Sequence, residues 1–367
     1  MRALPLMKRI ALPLVAVGCF TLLQSPSLSA EQPSGDNFVY VMSNKNPANS
    51  IIQFQRLGNG SLVWVREVAT GGRGTGPNGP DPLGSQDSLV LSGDGAFLLA
   101  VNSGSNDISV LGTQNGQLVW KSKTRSGGDF PNSLAVSDDL VYVLNSKGGT
   151  PNVTGFRLGL NGTLSWITRA PLPSGSAGAN DIRFAPDGSE LLVTVAGTNQ
   201  VLVFPVGSDG VAGSPVTQVS AGGNPFGIRF GHNEVALVSE AAGSLSSYQP
   251  AGANMLSTIS GAVADTQKAS CWIAVPRDGK FAWVSNTGSG TLSSFAVGDN
   301  GDVTLMNSVA ANPGGTPIDS VLSRDGNFLY VEDSVQGRVA IFSTNGGGLT
   351  PIGMMPVSAG IQGIAAR

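Results

Sequence analysis

The sequence predicts an all-β protein built from a repeated four-stranded unit. Three observations predict it. Gly and Pro account for 51 and 22 of the 367 residues, well above their usual share of about 12% together. Turn signals of the Asp-Gly and Asn-Gly kind recur with a period of roughly 46 residues, a blade-sized repeat. The segments between them are short and rich in β-branched and aromatic residues.

Composition closes off other classes. Only 12% of residues are charged and 41% are hydrophobic, the reverse of a disordered chain. The glycines have no three-residue period, so collagen is excluded. A net charge of −3 gives no electrostatic footprint for nucleic acid. A single His leaves little material for a His dyad or a Ser-His-Asp triad.

The chain opens on an export signal. Arg2, Lys8 and Arg9 are basic, Ile10 to Leu23 is an apolar run of 14 residues, and Pro26-Ser27-Leu28-Ser29-Ala30 supplies small residues. The run is shorter than the roughly 20 residues of a membrane span, so no transmembrane span is expected. Residues 1–30 read as a signal peptide cleaved near Ala30, and residues 31–367 as one exported domain, periplasmic or secreted. A lipoprotein anchor at Ala16-Val17-Gly18-Cys19 is the less favoured alternative, because Leu is missing three residues before the Cys. Cleavage removes Cys19, which leaves Cys271 alone and allows no intrachain disulfide.

The repeat follows. A small residue and Asp-Gly precede an apolar run at Asp94-Gly95, Asp187-Gly188, Asp278-Gly279 and Asp325-Gly326. Degenerate copies stand at Ser137-Asp138-Asp139 and Gly231-His232-Asn233. A second series lies at Asn59-Gly60, Asn115-Gly116, Asn161-Gly162, Asp209-Gly210, Asn300-Gly301 and Asn345-Gly346. Both dipeptides accept the positive φ of tight hairpins. Each unit therefore reads as strand A, hairpin, strand B, polar turn, strand C, hairpin, strand D.

Counting A strands gives Ser88–Ser92, Ser133–Ser137, Asp181–Ala185, Gly227–Gly231, Trp272–Pro276, Asp319–Ser323 and Gly363–Arg367. The first B strand, Phe38–Met42, has no A strand before it, and the last A strand has no B strand after it. Pairing the two closes a ring and removes its open edges. The expected fold is a seven-bladed β-propeller of four-stranded antiparallel blades, expected as a monomer.

In this order D–A connections and B–C turns share one face, and the tight A–B and C–D hairpins share the other. Polar, variable loops on a rigid scaffold favour ligand sites, which points to the D–A face. Its inner columns hold Asn132, Asn180, Asp181, Cys271, Trp272 and Asp319, and its B–C turns hold Asn102, Asn145, Glu240, Asn286 and Asp333. Arg183 and Arg229 occupy one column of neighbouring A strands, within expected reach of Asp181 and Glu240. They read either as site residues or as inter-blade salt bridges. No cofactor is expected. The alternative is Ca²⁺ on the five B–C turn residues, which are hard oxygen donors, although no Asp-rich loop supports it. His232 aligns with a hairpin turn on the opposite face. Cys271 reads as a buried, inert thiol rather than a nucleophile. Gly71 to Gln86 is an insertion on the D–A face, either a lid over the channel or a solvated loop.

The strand phrases Phe38-Val39-Tyr40-Val41 and Phe328-Leu329-Tyr330-Val331, the Asp-Gly hairpins and the closing strand resemble the seven-bladed propeller lactonase family, with its 6-phosphogluconolactonase-type and carboxymuconate-lactonizing members. The resemblance runs from about Asp36 to Arg367 and extends to an exported branch through Ala269-Ser270-Cys271-Trp272 and Asn224-Pro225-Phe226-Gly227. It implies hydrolysis of a lactone or cyclic ester. Glu240 or Asp319 would then activate water, and Arg183 or Arg229 would stabilise the oxyanion. Asn132, Asn180, Asp181, Cys271, Trp272, Asn286 and Asp333 would bind the substrate. The sugar-phosphate enzymes carry Pro-Arg-His at D–A junctions, where this chain has Pro131-Asn132-Ser133, Pro225-Phe226-Gly227 and Pro317-Ile318-Asp319. Its substrate is therefore not expected to be held by a phosphate there. The alternative function is a non-enzymatic propeller that binds a protein or glycan.

Overall fold

Short apolar runs separated by glycine turns can bury both faces only by stacking, and the chain does so in seven sheets. The computed structural model describes Met1 and residues 37–367, so the expected signal segment lies outside the described residues. Each sheet has four antiparallel strands, A innermost to D outermost. Blade 1 combines Ile364–Ala366 with Phe38–Met42, Ser50–Arg56 and Leu62–Ala69. Blade 2 is Leu89–Leu91, Phe97–Asn102, Asp107–Gly112 and Val119–Arg125. Blade 3 is Asp129–Ser137, Leu140–Lys147, Asn152–Leu158 and Leu164–Pro171. Blade 4 is Ala179–Phe184, Glu190–Val195, Gln200–Pro205 and Val216–Val219. Blade 5 is Pro225–Phe230, Ala236–Glu240, Ser244–Pro250 and Leu256–Ala264. Blade 6 is Ser270–Ala274, Phe281–Asn286, Thr291–Val297 and Val303–Ala311. Blade 7 is Pro317–Leu322, Phe328–Asp333, Arg338–Asn345 and Gly348–Pro356. No described helix is long and apolar enough to cross a membrane.

The turn signals fold as expected. In the A–B hairpins Gly95 N–H donates to Ser92 O, Gly188 to Ala185 O, Gly279 to Pro276 O and Gly326 to Ser323 O, at 2.8 to 2.9 Å. The C–D hairpins close the same way, as with Gly60 N–H to Leu57 O at 2.9 Å. B and C strands are buried on both faces because neighbouring blades cover them, as in Phe97–Asn102 and Asp107–Gly112. D strands keep only their first residues inside and expose most of the rest, as in Leu62–Ala69.

Aromatic residues of three B strands fasten their blades to the next. The Tyr142 hydroxyl donates to Gly210 O at 2.6 Å, the Trp283 indole to Gly347 O at 2.9 Å, and the Tyr330 hydroxyl to Gly60 O at 3.0 Å. Each ring spans the apolar seam, and its polar tip satisfies a C–D turn of the following blade. The last of these bonds crosses from blade 7 to blade 1.

The ring closes in blade 1. Val39, Tyr40 and Val41 pair with Ala366, Ala365 and Ile364, and Arg367 N–H donates to Phe38 O at 2.8 Å. Ile364 is buried between blades 1 and 7. Truncating it should therefore loosen the whole ring, not one blade. Ile364→Ala is expected to cost about 2–4 kcal/mol, read as a lower urea midpoint of a single cooperative transition.

Candidate functional site

The D–A mouth of the channel is closed. The insertion turns inward over its last residues, and Leu83, Ser85 and Gln86 are buried. The Ser85 carbonyl accepts from the Trp272 indole and from the Gln362 amide, both at 2.8 Å. Gln362 also accepts from Leu83 N–H and donates to the Asp81 carboxylate, both at 2.7 Å. The Gln86 amide pairs with the backbone of Ile273, donating to its carbonyl at 2.8 Å and accepting from its N–H at 3.2 Å. Asn180 donates to Gly84 O at 2.7 Å, and Ser85 Oγ donates to Asn132 O at 2.7 Å. One segment thus spans blades 1, 3, 4 and 6. Gly227 makes room for it, because a Cβ there would collide with the Gln86 side-chain oxygen Oε1. Of the two sequence expectations for Gly71 to Gln86, its C-terminal part is the covering one.

Below this plug lies an ionic hub. Asp87, at φ +60, turns the chain from the plug into the A strand of blade 2. Its Oδ2 accepts from Arg183 and from Arg229, both at 2.8 Å, and its Oδ1 accepts a second Arg229 bond at 2.8 Å. The arginines come from blades 4 and 5, so these pairs cross the channel. Arg229 also lies 3.7 Å from Asp181. Asp181 accepts from Ser133 Oγ at 3.0 Å and from Ile228 N–H at 2.8 Å. Burial, and then the Asp87 charge, push its carboxyl up to about 7. Burial and the Asp87 charge also hold Asp319 well above the usual carboxylate range, and burial with the Asp319 charge does the same to Glu332. Asp87, Asp181 and Asp319 therefore face two guanidinium groups in a largely buried centre, with Glu332 beside Asp319, and desolvation disfavours the charged form of the carboxyl groups it surrounds.

The channel opens on the other face. A cavity of about 360 Å³ runs from Asp87, Arg183 and Arg229 outward between A strands to the A–B hairpins. Arg277, Arg324 and Arg367 stand at its rim. The Arg183 side chain is 36% exposed and that of Arg229 only 13%. Arg183 is thus the hub cation that reaches solvent.

Residues 181–358 match the family model described as lactonase, 7-bladed beta-propeller. The matched segment, just under half of the chain, carries the sequence signature of that family. Similar solved structures reinforce the fold. A candidate 6-phosphogluconolactonase from Bacteroides fragilis is 20% identical, with a TM-score of 0.70 over 94% of this chain and 100% of its own. A Lactobacillus plantarum protein is 19% identical, with a TM-score of 0.73 over 91% of this chain and 99% of its own. The periplasmic gluconolactonase of Pseudomonas aeruginosa is 16% identical, with a TM-score of 0.70 over 90% of this chain and 98% of its own. No curated protein matches the sequence.

In this propeller the residues expected at one mouth separate into three places. Asp181, Asp319, Arg183 and Arg229 do meet, at the hub. Asn132, Asn180, Cys271 and Trp272 lie against the plug. Asn132 donates to Ala179 O at 2.9 Å. Trp272 packs on Phe226 at 4.8 Å beside Cys271 and Ile318. Burial, with the Asp81 charge, pushes the Cys271 thiol up, so it is not a ready nucleophile. The substrate contacts expected of these four are blocked by the plug.

The B–C turn residues are the clearest correction. Each is tied up by hydrogen bonds within its own blade and to the connection from the preceding one; Asn102, for example, accepts from Asn49 at 3.0 Å and from Thr70 at 2.7 Å, both of blade 1. Glu240 accepts from Ser244 Oγ at 2.6 Å and Gly222 N–H at 3.2 Å. Asp333 accepts from Thr316 at 3.0 Å and from Arg338 at 3.2 Å. Asn286, with its amide turned to suit its neighbours, donates to Asp265 at 3.1 Å and Ser270 at 2.8 Å. Asn102 donates to Asp107 and Ser109, both at 2.8 Å, and Asn145 to Asn152 at 3.1 Å. The physical reason is that each strand B lies between strands A and C of its sheet, so its end is enclosed by the turns and blade connections around it, whose polar groups need partners. The five donors proposed for Ca²⁺ are therefore spread over five blades, and among the described residues no three His, Cys, Asp or Glu side chains gather as a metal site. Glu240 does not meet Arg183 or Arg229 as an ion-pair partner. His232 sits in the blade 5 A–B hairpin, on the open face but outside the cavity lining.

Sequence reasoning passed over Asp87 as a site residue. It stood in the right column, but its partners lie across the ring and leave no local signal. Gln86 and Asp81 were equally silent inside the insertion. Two predictions follow from the plug. Gln86→Ala strands two buried backbone groups of Ile273 and should cost about 2–4 kcal/mol in chemical denaturation. Burial raises the Asp81 carboxyl from 3.8 to about 6, so the native state holds its proton more tightly than the unfolded chain does. That contribution to stability is full below about pH 4 and is lost as pH rises through about 6. Asp81→Asn should flatten this part of the Tm-against-pH curve between pH 4 and 7.

Proposed function

We propose that the chain is an exported hydrolase of a lactone or related cyclic ester, and that its reaction site is the hairpin-face cavity rather than the D–A mouth. The observation that carries this reading is the Asp87–Arg183–Arg229 hub at the inner end of an open cavity of about 360 Å³. Ester hydrolysis needs a base for water and a cation for the oxyanion. Asp87 Oδ1 accepts one arginine bond and retains a lone pair for a water. Arg183 spends one N–H on Asp87 and turns the rest of its partly exposed guanidinium to the cavity. Water attacks the acyl carbon as Asp87 takes its proton. The carbonyl oxygen becomes the oxyanion beside Arg183. Collapse breaks the ring C–O bond, and the leaving alkoxide takes the proton back from Asp87. Arg229 holds Asp87 in place through two bonds.

The test is turnover of five- and six-membered lactones by the purified chain. Asp87→Asn is expected to lower kcat at least about 100-fold, and Arg183→Gln by about 10²–10³. An Asp87→Asn protein with unchanged kcat overturns the assignment. Export is part of the same proposal and rests on the basic and apolar pattern of residues 1–30. It requires the protein recovered outside the cytoplasm to begin at Glu31. A non-catalytic binding propeller is the second reading, and the closed D–A mouth favours it. Ligand binding in the cavity without turnover of any lactone would select it.

A further inference from the structure

The seven outer strands are not alike. Those of blades 4 to 7, Val216–Val219, Leu256–Ala264, Val303–Ala311 and Gly348–Pro356, contain no charged residue. Those of blades 1 to 3 carry Arg66, Lys121, Lys123, Arg125 and Arg169 against one acid, Glu67. Lys45 neutralises that acid at 3.0 Å, and Lys123 lies 3.6 Å from Asp107 on the adjacent strand, so Arg66, Lys121, Arg125 and Arg169 carry the excess positive charge. The same three strands each hold one tryptophan at the same register, opposite Phe54, Leu111 and Phe156. Trp64, Trp120 and Trp166 are 60%, 46% and 55% exposed. In blades 5, 6 and 7 the register-matched residues are Thr258, Leu305 and Pro351.

Local packing uses only part of each indole. The Trp120 N–H donates to Thr70 O at 2.8 Å, at the end of the preceding blade's outer strand. Trp166 stands edge-on to Phe156 at 5.8 Å and beside Gly127, at the corresponding place one blade on. Consecutive tryptophans therefore mark consecutive blade seams, and about half of each large ring is left in water. A folded chain exposes so much indole on one wall at a hydrophobic cost, and such surfaces mark binding. The nearby cations add a positive local field to a chain of net charge −3.

We propose that the outer wall of blades 1 to 3 is a docking surface for an acidic polysaccharide, independent of the reaction assigned to the cavity. Pyranose rings present an apolar C–H face that stacks on indole, whose ring face is electron-rich. Carboxylates on the sugars meet the lysines and arginines beside the rings. Three rings and five cations on a protein of negative net charge suit a chain with an apolar face on each unit. They suit a nucleic acid, charged at every unit, less well. The arrangement lets the propeller sit on an acidic glycan while the channel stays open at its end.

The experiment is affinity electrophoresis of the purified full chain in gels containing polygalacturonate or neutral dextran, with circular dichroism of every variant. Polygalacturonate should retard the protein, dextran should not, and retardation should fade between 50 and 500 mM salt, as roughly expected for screened exposed charges. Trp64→Ala with Trp166→Ala should weaken binding at least about tenfold, a loss of about 1.4 kcal/mol. Lys121→Glu, an exposed change that leaves the core alone, should weaken it in the same direction. The proposal is overturned if polygalacturonate does not retard the protein, if dextran retards it equally, or if natively folded variants bind unchanged. It is also overturned if single-stranded oligothymidylate binds more tightly, or if sedimentation shows self-association that the tryptophan variants abolish.

Discussion

Everything in this molecule depends on three residue pairs in blade 1. Val39, Tyr40 and Val41 take their inner partners from Ala366, Ala365 and Ile364 at the far end of the sequence. Without that pairing both ends of the array would present an open sheet edge and an uncovered apolar face. With it, every B and C strand lies between two neighbours, and burial can be complete. The chain forms no disulfide among its described residues, where Cys271 is free, so closure and core together bear the work that cross-links do in disulfide-bonded domains. The Tyr330 bond to Gly60 adds a second tie across the same seam.

Closure also creates the site. It brings blade 2 opposite blades 4 and 5, and so sets Asp87 against Arg183 and Arg229. The Asp87–Arg229 pair is nearly dry, and a buried ion pair of this kind is weak evidence for stability. The four carboxyl groups crowded there carry a desolvation cost that a simple scaffold would avoid. Carboxyl groups shifted by burial and by each other at the end of an open cavity are the observation on which the proposed reaction site rests. The plug sharpens this: it seals one end of the channel, which leaves the hairpin face as the only approach to Asp87 that the described residues show.

The blades share a fold but not a surface. Repetition fixes the inner strands, because each must fill the same wedge. The outer strands are released from that demand, and here they diverge into a cationic, tryptophan-bearing arc and an uncharged arc. A ring offers three separable surfaces, two faces and a wall, and this chain differentiates all three.

Sequence alone determined the blade count, the strand order and the closing pair. These rest on local chemistry: Asx-Gly turns select tight hairpins, and β-branched runs between them have one way to be covered. It also placed Arg183, Arg229, Asp181 and Asp319 in columns that do converge. Tertiary structure decided which face is open and which carboxylate the arginines hold. Glu240 and Asp333 looked like mouth residues because they end B strands, yet neighbouring strands and blade connections take up their carboxylates. Asp87 looked ordinary because its partners lie about a hundred and more residues away, at 96 and 142 positions along the chain. An insertion's path is set by what it meets, not by its composition, so Gln86 and Ser85 revealed their role only once Ile273 and Trp272 stood across the channel from them.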